Sequence, residues 1–302
     1  MRAVRYEKFG SPEVLELKEL PEPEPGPGEV RVRVLAAGLN PVDYKIFHGP
    51  AAHAYGATLP SGVGHDLAGI VDRVGESVTD FAPGDAVFGG KRNEALADFV
   101  VLGVEGLILP TPAGLPVEIA GSLAIAARTA WASVAAVGLT DADTVLVSAA
   151  AGGVGVLAAQ LARRTGATVI GTAGEHNHEF LRELGVIPIA YGPGQIERVR
   201  AAAPGGVTAC LDNHGADTID VALELGVSLQ RINTIAARGH RGAVGAGAAD
   251  ASKEDLAEVA RLIAAGELVL PIEAIYPLER AQEAYQRLEQ GHLRGKIVVV
   301  TQ

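Results

Sequence analysis

Apolar and polar positions along the chain predict an all-β first part followed by alternating strands and helices. Short apolar runs at residues 2–6, 14–20, 30–36, 70–74, 86–88, 96–102 and 106–109 read as strands. Within them 30–36 (VRVRVLA) alternates as a half-buried strand, and the proline-rich connector 21–28 fits neither helix nor strand. Residues 115–137 then predict two helices rich in small residues. From 143 onward the period changes again and again. The run 144–148, a small-residue turn 149–153, a helical stretch 154–164 and a second run 168–172 predict strand, turn, helix, strand. Helices are predicted at 177–184, 195–203, 218–225, 253–265 and 278–289, with Gly266 closing the fourth. Strands are predicted at 187–191, 207–212, 231–236, 242–247, 274–277 and 295–300. Alternation over 143–247 means a parallel, doubly wound α/β sheet.

The turn in the middle of this pattern carries the candidate chemistry. Gly152 and Gly153 let the backbone turn and approach a pyrophosphate, and Gly155 lets the helix pack hard on the sheet. Free N–H groups near Val154 and Gly155 face the phosphate charge. Ala150 stands where the common pattern has a first glycine. At the end of the next strand, Gly171, Thr172, Ala173 and Gly174 supply no acid for a ribose hydroxyl. That leaves room for a 2′-phosphate, with Thr172, Asn177, His178 and Arg182 as candidate partners, and points to NADPH.

Residues 37–49 (AGLNPVDYKIFHG) form a second polar turn after a strand, where Pro41 starts a helical turn that gathers Asp43, Tyr44, Lys45 and His48. The loops 48–60 and 239–251 are the candidate substrate walls, with His48, His53 and Tyr55 in or beside the first.

Composition narrows the choice. Length predicts two domains, and a net charge of −11 argues against nucleic-acid or anionic-membrane partners. No apolar run is long enough to span a bilayer, and the first ten residues lack a signal-peptide core. The one cysteine, Cys210, suits a reducing cytoplasm, forbids a multi-cysteine zinc site, and reads as core because it lies in an apolar strand.

As a set, the segments 1–17 (MRAVRYEKFGSPEVLEL), 38–45 (GLNPVDYK), 64–85 (GHDLAGIVDRVGESVTDFAPGD), 149–173, 211–215 (LDNHG) and 295–299 (GKIVV) resemble the zinc-independent quinone oxidoreductase branch, zeta-crystallin-like, of the medium-chain dehydrogenase/reductase superfamily. The resemblance implies a GroES-like β-barrel catalytic domain over residues 1–115, a Rossmann NADP-binding domain over 116–267, and a return to the barrel over 268–302. It implies NADPH as cofactor, a small quinone or enone as substrate, hydride transfer without metal, and a homodimer joined through a sheet edge near 242–247. Asn40, Asp43, Tyr44 and Lys45 would line the nicotinamide end, Tyr44 or Lys45 donating a hydrogen bond or proton. Thr129, Ile235 and Ala236 would lie by the nicotinamide. Gly152, Gly153, Val154 and Gly155 would meet the pyrophosphate, Thr172, Asn177 and His178 the 2′-phosphate region, Tyr191 the adenosine, and Asn213 the cofactor's edge of the sheet. Zinc-dependent relatives have a cysteine near the place of Asn40, so His65 is expected to be a hydrogen-bonded histidine near the cleft and not a ligand. Two other readings use the same fold: an enoyl-thioester reductase of a biosynthetic pathway, and a cofactor-binding sensor or structural protein.

Overall fold

A computed structural model describes residues 1–301, and among these residues three sheets form. The first is small and antiparallel, with Arg2–Tyr6 between Glu16–Glu19 and Ser61–Gly62. The second runs Ile272–Pro277, Lys296–Val300, Glu29–Gly38, Asp66–Val74, Ala86–Gly90, Leu107–Pro110 in spatial order, and Phe99–Gly103 also pairs with Glu29–Gly38. Its apolar interior holds Val4, Val30, Val32, Val71, Phe47, Tyr285, Ile297 and Val299. The strand Glu29–Gly38 was expected to be half-buried. Both its faces are largely covered instead, because Arg31 is buried beneath the proline-rich connector. Its guanidinium binds Asp72 at 2.7 Å, Glu22 at 3.2 Å and the Pro23 carbonyl at 3.1 Å, and lies over the Phe99 ring.

The third sheet is parallel throughout, in the spatial order Ile187–Ile189, Thr168–Thr172, Thr144–Val147, Ala209–Asp212, Ile232–Thr234. The strand Thr144–Val147 shows why the sheet is doubly wound. Val145 and Val147 face a cluster that includes the helices Ala124–Val137, Gly153–Arg164 and Lys253–Ala264. Leu146 points the other way, with Ile170 and Cys210, onto Val199, Ile219 and Ala222 from the helices Gln195–Ala202 and Ala216–Glu224. Side chains alternate across a strand, so a wholly apolar run needs cover on both faces. Cys210 is thus a core residue, and burial pushes its thiol well above its usual range.

Two predicted elements differ. The strand expected at 231–236 is confined to Ile232–Thr234, and no strand forms at 242–247. Gly239, Arg241 and Gly242 all have positive φ (89°, 52° and 83°), which breaks an extended run there. The segment is tethered by side chains, the Ala246 N–H donating to Asn233 Oδ1 at 2.7 Å. The sheet edge expected near 242–247 is accordingly the strand Ile232–Thr234. Upstream, the expected strand 14–20 opens with a 3-10 turn at Pro12–Val14 and pairs only over Glu16–Glu19.

The chain leaves the second sheet after Leu107–Pro110 and rejoins it at Ile272–Pro277, which pairs parallel with Lys296–Val300. On the way back Gly295 bridges to Gly152, and the Gly295 N–H donates to the Ala151 carbonyl at 2.7 Å. The returning strand therefore touches the glycine-rich turn directly.

Candidate active site

The parallel sheet reverses its strand order between Thr144–Val147 and Ala209–Asp212, and open α/β sheets bind ligands at the carboxyl ends of strands at such a point. The glycine-rich turn follows the first of these strands and Asn213 follows the second. Asn213 is held on Ser148, its N–H on Oγ at 2.8 Å and its Nδ2 on the carbonyl at 3.0 Å. Its Oδ1 is buried with no hydrogen-bond partner among the described residues. A buried acceptor without a donor is costly, so this atom suits a ligand hydroxyl.

The sharp bend of the turn falls on Ala149, at φ 48°, and not on the glycines. Gly152 has an ordinary extended backbone, and a Cβ there would meet only the Ala149 carbonyl at 3.3 Å. Gly155 is different: a Cβ would lie 2.1 Å from the Ala149 oxygen. At Gly153 it would lie 2.7 Å from Lys296 Cδ. The helix Gly153–Arg164 starts at this crossing, and the N–H groups of Gly153, Val154 and Gly155 have no acceptor one turn back. They form an anion site of the kind a pyrophosphate takes. A dinucleotide therefore fits the residues present.

Thr172 was expected to meet a 2′-phosphate. It is buried, and its Oγ1 accepts from the Ala149 N–H at 3.3 Å, so it shapes the turn. Asn177 is buried too, with Oδ1 accepting from Arg294 Nε at 2.8 Å and Nδ2 against His176 Nε2 at 3.1 Å. His178 donates from Nε2 to the Ala173 carbonyl at 3.2 Å. Arg182 is engaged by Glu179 at 2.8 Å. Sequence reasoning missed Arg294, which comes from the return segment. Its Nη2 also binds the His176 carbonyl at 3.0 Å, and its guanidinium lies over Phe180 and forms no ion pair among the described residues, while its backbone N–H donates to Glu273 Oε2. Tyr191, 47% exposed and expected to meet the adenosine, stacks on His292 and meets its Nδ1 at 2.9 Å, so the return segment reaches this residue as well.

At the other end Thr129 is buried on the helix Ala124–Val137. Its neighbour Arg128 donates Nε and Nη2 to the Ala251 carbonyl, at 3.0 and 2.6 Å, pinning the far end of the 239–251 loop. Ile235 and Ala236 follow the strand Ile232–Thr234, the Ile235 N–H on the Asp212 carbonyl and the Ala236 N–H on Thr234 Oγ1.

The four residues expected to act at the nicotinamide end divide in two. Tyr44 is half-buried beside His48, with burial and then Glu289 raising its phenol, and Lys45 is exposed. Asn40 and Asp43 are buried, and the hydrogen bonds of their side chains go to groups of the protein itself. Asp43 Oδ2 accepts the Asn40 N–H at 2.8 Å and the Tyr285 hydroxyl at 3.1 Å, and caps the helix Pro41–Phe47. Burial pushes the Asp43 carboxyl up to about 7. Asn40 Oδ1 accepts from Lys296 Nζ at 2.6 Å, and its Nδ2 donates to Asp66 Oδ2 at 3.0 Å. Lys296 is the second residue missed. It lay inside a recognised motif, but a lysine in an apolar strand gives no sign of its partners.

His65 is partly buried and its ring makes no hydrogen bond among the described residues, contrary to expectation. Desolvation holds its pKa below the usual value. The described residues hold no group of three or more His, Cys, Asp or Glu suited to a metal. At the place the resemblance gives to zinc ligands, an ammonium already contacts Asn40 and lies 3.7 Å from Asp66. This donor set does not fit zinc. A separate concavity of about 520 Å³, lined by Arg5, Ser61, Lys91 and Asn93, takes in Gly56, Thr58 and Pro60 of the loop 48–60 but none of the candidate catalytic or cofactor-binding residues.

Residues 26–124 match the family described as alcohol dehydrogenase GroES-like domain, and residues 168–299 the family described as zinc-binding dehydrogenase. The chain is 30% identical to a quinone oxidoreductase of Mus musculus, over 99% of this chain and 98% of that one. It superposes on the quinone oxidoreductase from Coxiella burnetii with a TM-score of 0.90 and 32% identity, covering 100% and 99% of the two chains. A mycobacterial protein solved with NADPH gives a TM-score of 0.87 at 28% identity, over 99% and 100%. Turn, switch point and returning strand, together with these likenesses, place the chain among oxidoreductases: it belongs to the quinone oxidoreductase branch of the medium-chain dehydrogenase/reductase superfamily.

Proposed function

We propose that this protein is an NADPH-dependent reductase of quinones or α,β-unsaturated carbonyls that works without a metal. The observation that carries the reading is the Lys296 ammonium at 2.6 Å from Asn40 Oδ1, where a metal-dependent relative needs a ligand. Without a Lewis acid an alkoxide is poorly stabilised, whereas a conjugated acceptor spreads the incoming charge onto its own oxygen. Hydride donation is the chemistry the nicotinamide supplies when bound. The protein holds the pyrophosphate at Gly153, Val154 and Gly155, accepts a sugar hydroxyl at Asn213 Oδ1, and positions the reactants. Tyr44 and Lys45 are the side chains placed to donate to the acceptor's oxygen.

The preference for NADPH rests on the neutral end of strand Thr168–Thr172 and on Arg294, whose guanidinium lies beside Asn177 with no ion pair among the described residues. Arg294→Ala is expected to weaken NADPH about tenfold and NADH little, as loss of a charge-assisted contact would. Equal weakening of both cofactors would show that Arg294 only braces the loop. A homodimer is our reading of the assembly, joined beside the edge strand Ile232–Thr234, where Val244 is 74% exposed; light scattering tests it. Among the described residues no helix is long and apolar enough to cross a membrane. With one cysteine, buried, the chain suits the reducing cytoplasm in which we place it.

The direct test is titration with NADPH and NADH by fluorescence, followed by oxidation with 1,4-benzoquinone and with an enone, each with and without a chelator. Turnover that favours NADPH and survives the chelator is expected. Binding without turnover on any acceptor would support a sensor, and loss of turnover on chelation would overturn the metal-free reading.

A further inference from the structure

Three segments of the site come from distant parts of the chain: the glycine-rich turn, the start of helix Pro41–Phe47 with Tyr44 and Lys45, and the start of helix Ala124–Val137 with Thr129. One buried polar cluster touches all three. Lys296, 4% exposed, donates from Nζ to the Leu39 carbonyl at 2.7 Å and to Asn40 Oδ1 at 2.6 Å, at the N-cap of the first helix. Its Nζ lies 3.7 Å from Asp66 Oδ2, which also accepts Asn40 Nδ2. The other oxygen of Asp66, itself fully buried, accepts the Ile125 N–H at 3.0 Å in the first turn of the second helix. The aliphatic stem of Lys296 lies under Gly153, where a Cβ would come within 2.7 Å of Cδ.

Resting on the reading of the site as a nicotinamide-dependent reductase, we propose that Lys296 is a positioning residue that registers the glycine-rich turn against the two helix starts. Its stem sets the height of the turn and its ammonium sets Asn40 and, through Asp66, the helix carrying Thr129. The two halves of the side chain thus have separable duties. The stem governs how the cofactor's phosphates sit, and the ammonium governs where the acceptor's neighbours stand. A buried charge pair of this kind adds little net stability over apolar replacements, so its value lies in fixing one arrangement.

The separation gives the test. Lys296→Met keeps most of the stem and removes the ammonium. Lys296→Ala removes both. Lys296→Met is expected to keep the NADPH dissociation constant within about threefold and to lower kcat with 1,4-benzoquinone at least about tenfold. Lys296→Ala is expected to lose the same kcat and also to weaken NADPH about tenfold or more. Asn40→Ala is expected to lower kcat similarly, and the double variant Asn40→Ala/Lys296→Met to fall no further than either single one. Lys296→Met leaves Asp66 buried and uncompensated, so Asp66→Asn/Lys296→Met is made beside it to remove both charges and keep the fold. Additive losses, or kcat preserved in the folded double-charge variant, would overturn the proposal. So would equal NADPH affinities for the methionine and alanine variants. If the unaltered protein reduces no acceptor, the functional reading fails by itself. The affinity contrast between methionine and alanine still reads the coupling of the stem to the turn.

Discussion

Gly155→Ala is expected to destroy dinucleotide binding and to destabilise the fold together. The new Cβ would lie 2.1 Å from the Ala149 oxygen, 2.8 Å from its carbonyl carbon and 2.9 Å from Ala150 Cα. All three are backbone atoms, so no side chain can swing aside. The helix must lift from the turn, and overpacking of this kind costs about 3 kcal/mol. Lifting the helix also takes its first N–H groups off the phosphates, so NADPH should weaken by more than about a hundredfold. Gly152→Ala is the control. Its Cβ would meet only one atom, at 3.3 Å, and its φ of −76° suits any residue. Its folding stability should stay within about 0.5 kcal/mol of the original. Chemical denaturation and fluorescence titration on both variants decide the matter. A stable, fully binding Gly155→Ala protein would refute the account of the turn.

Asp43 supplies the second large effect. Burial moves its carboxyl from an ordinary 3.8 to about 7, against the hydrogen bond from the Asn40 N–H, with Asp66 adding to the rise and Lys296 and Tyr285 opposing it. The folded protein therefore keeps a proton that the unfolded chain releases between pH 4 and 7. Stability from this source is fully present below about pH 4 and is lost as pH rises through 7. The shift corresponds to about 4 kcal/mol, at about 1.4 kcal/mol for each pKa unit. His65, held low by desolvation, slopes the other way below its ordinary value of 6.5, so the raw curve mixes the two. Asp43→Asn isolates the term, since its side-chain oxygen can still accept from Asn40 and Tyr285. Wild-type stability minus that of Asp43→Asn, measured by denaturation across pH 4 to 8, should fall with rising pH. A flat difference would show that Asp43 titrates in its ordinary range.

These residues show what a sequence can reveal about such a site. The turn was legible because its chemistry demands small residues at set intervals between a strand and a helix, and Gly155 sits where that demand is strictest. Even so, the sharp bend fell on Ala149, whose positive φ no composition rule flags. Asn40 and Asp43 read as polar residues presented to a cleft, since a polar turn after a strand looks the same whether its side chains face out or in. Only the positions of Lys296 and Tyr285, more than two hundred residues away, show that they face in. Arg294 was silent for the same reason: its partners His176 and Asn177 adjoin it only once the chain has returned. The run 242–247 misled in the opposite direction. Its small and apolar residues imitate a strand, and the break comes from left-handed backbone at Gly239, Arg241 and Gly242, which hydrophobic periodicity does not register.

The returning strand also bears on the order in which the protein is made. The parallel sheet has all its strands once residue 234 has been synthesised. Yet the turn at its switch point lacks the Gly295 contact and the Lys296 stem beneath Gly153, and the loop at 176–177 lacks the Arg294 guanidinium, until about sixty further residues exist. A nascent chain thus completes its parallel sheet, and the helix Lys253–Ala264 that covers one face of it, before the residues that buttress the turn exist. The cofactor is in this respect a late arrival that inspects a finished molecule, not a template that guides an unfinished one.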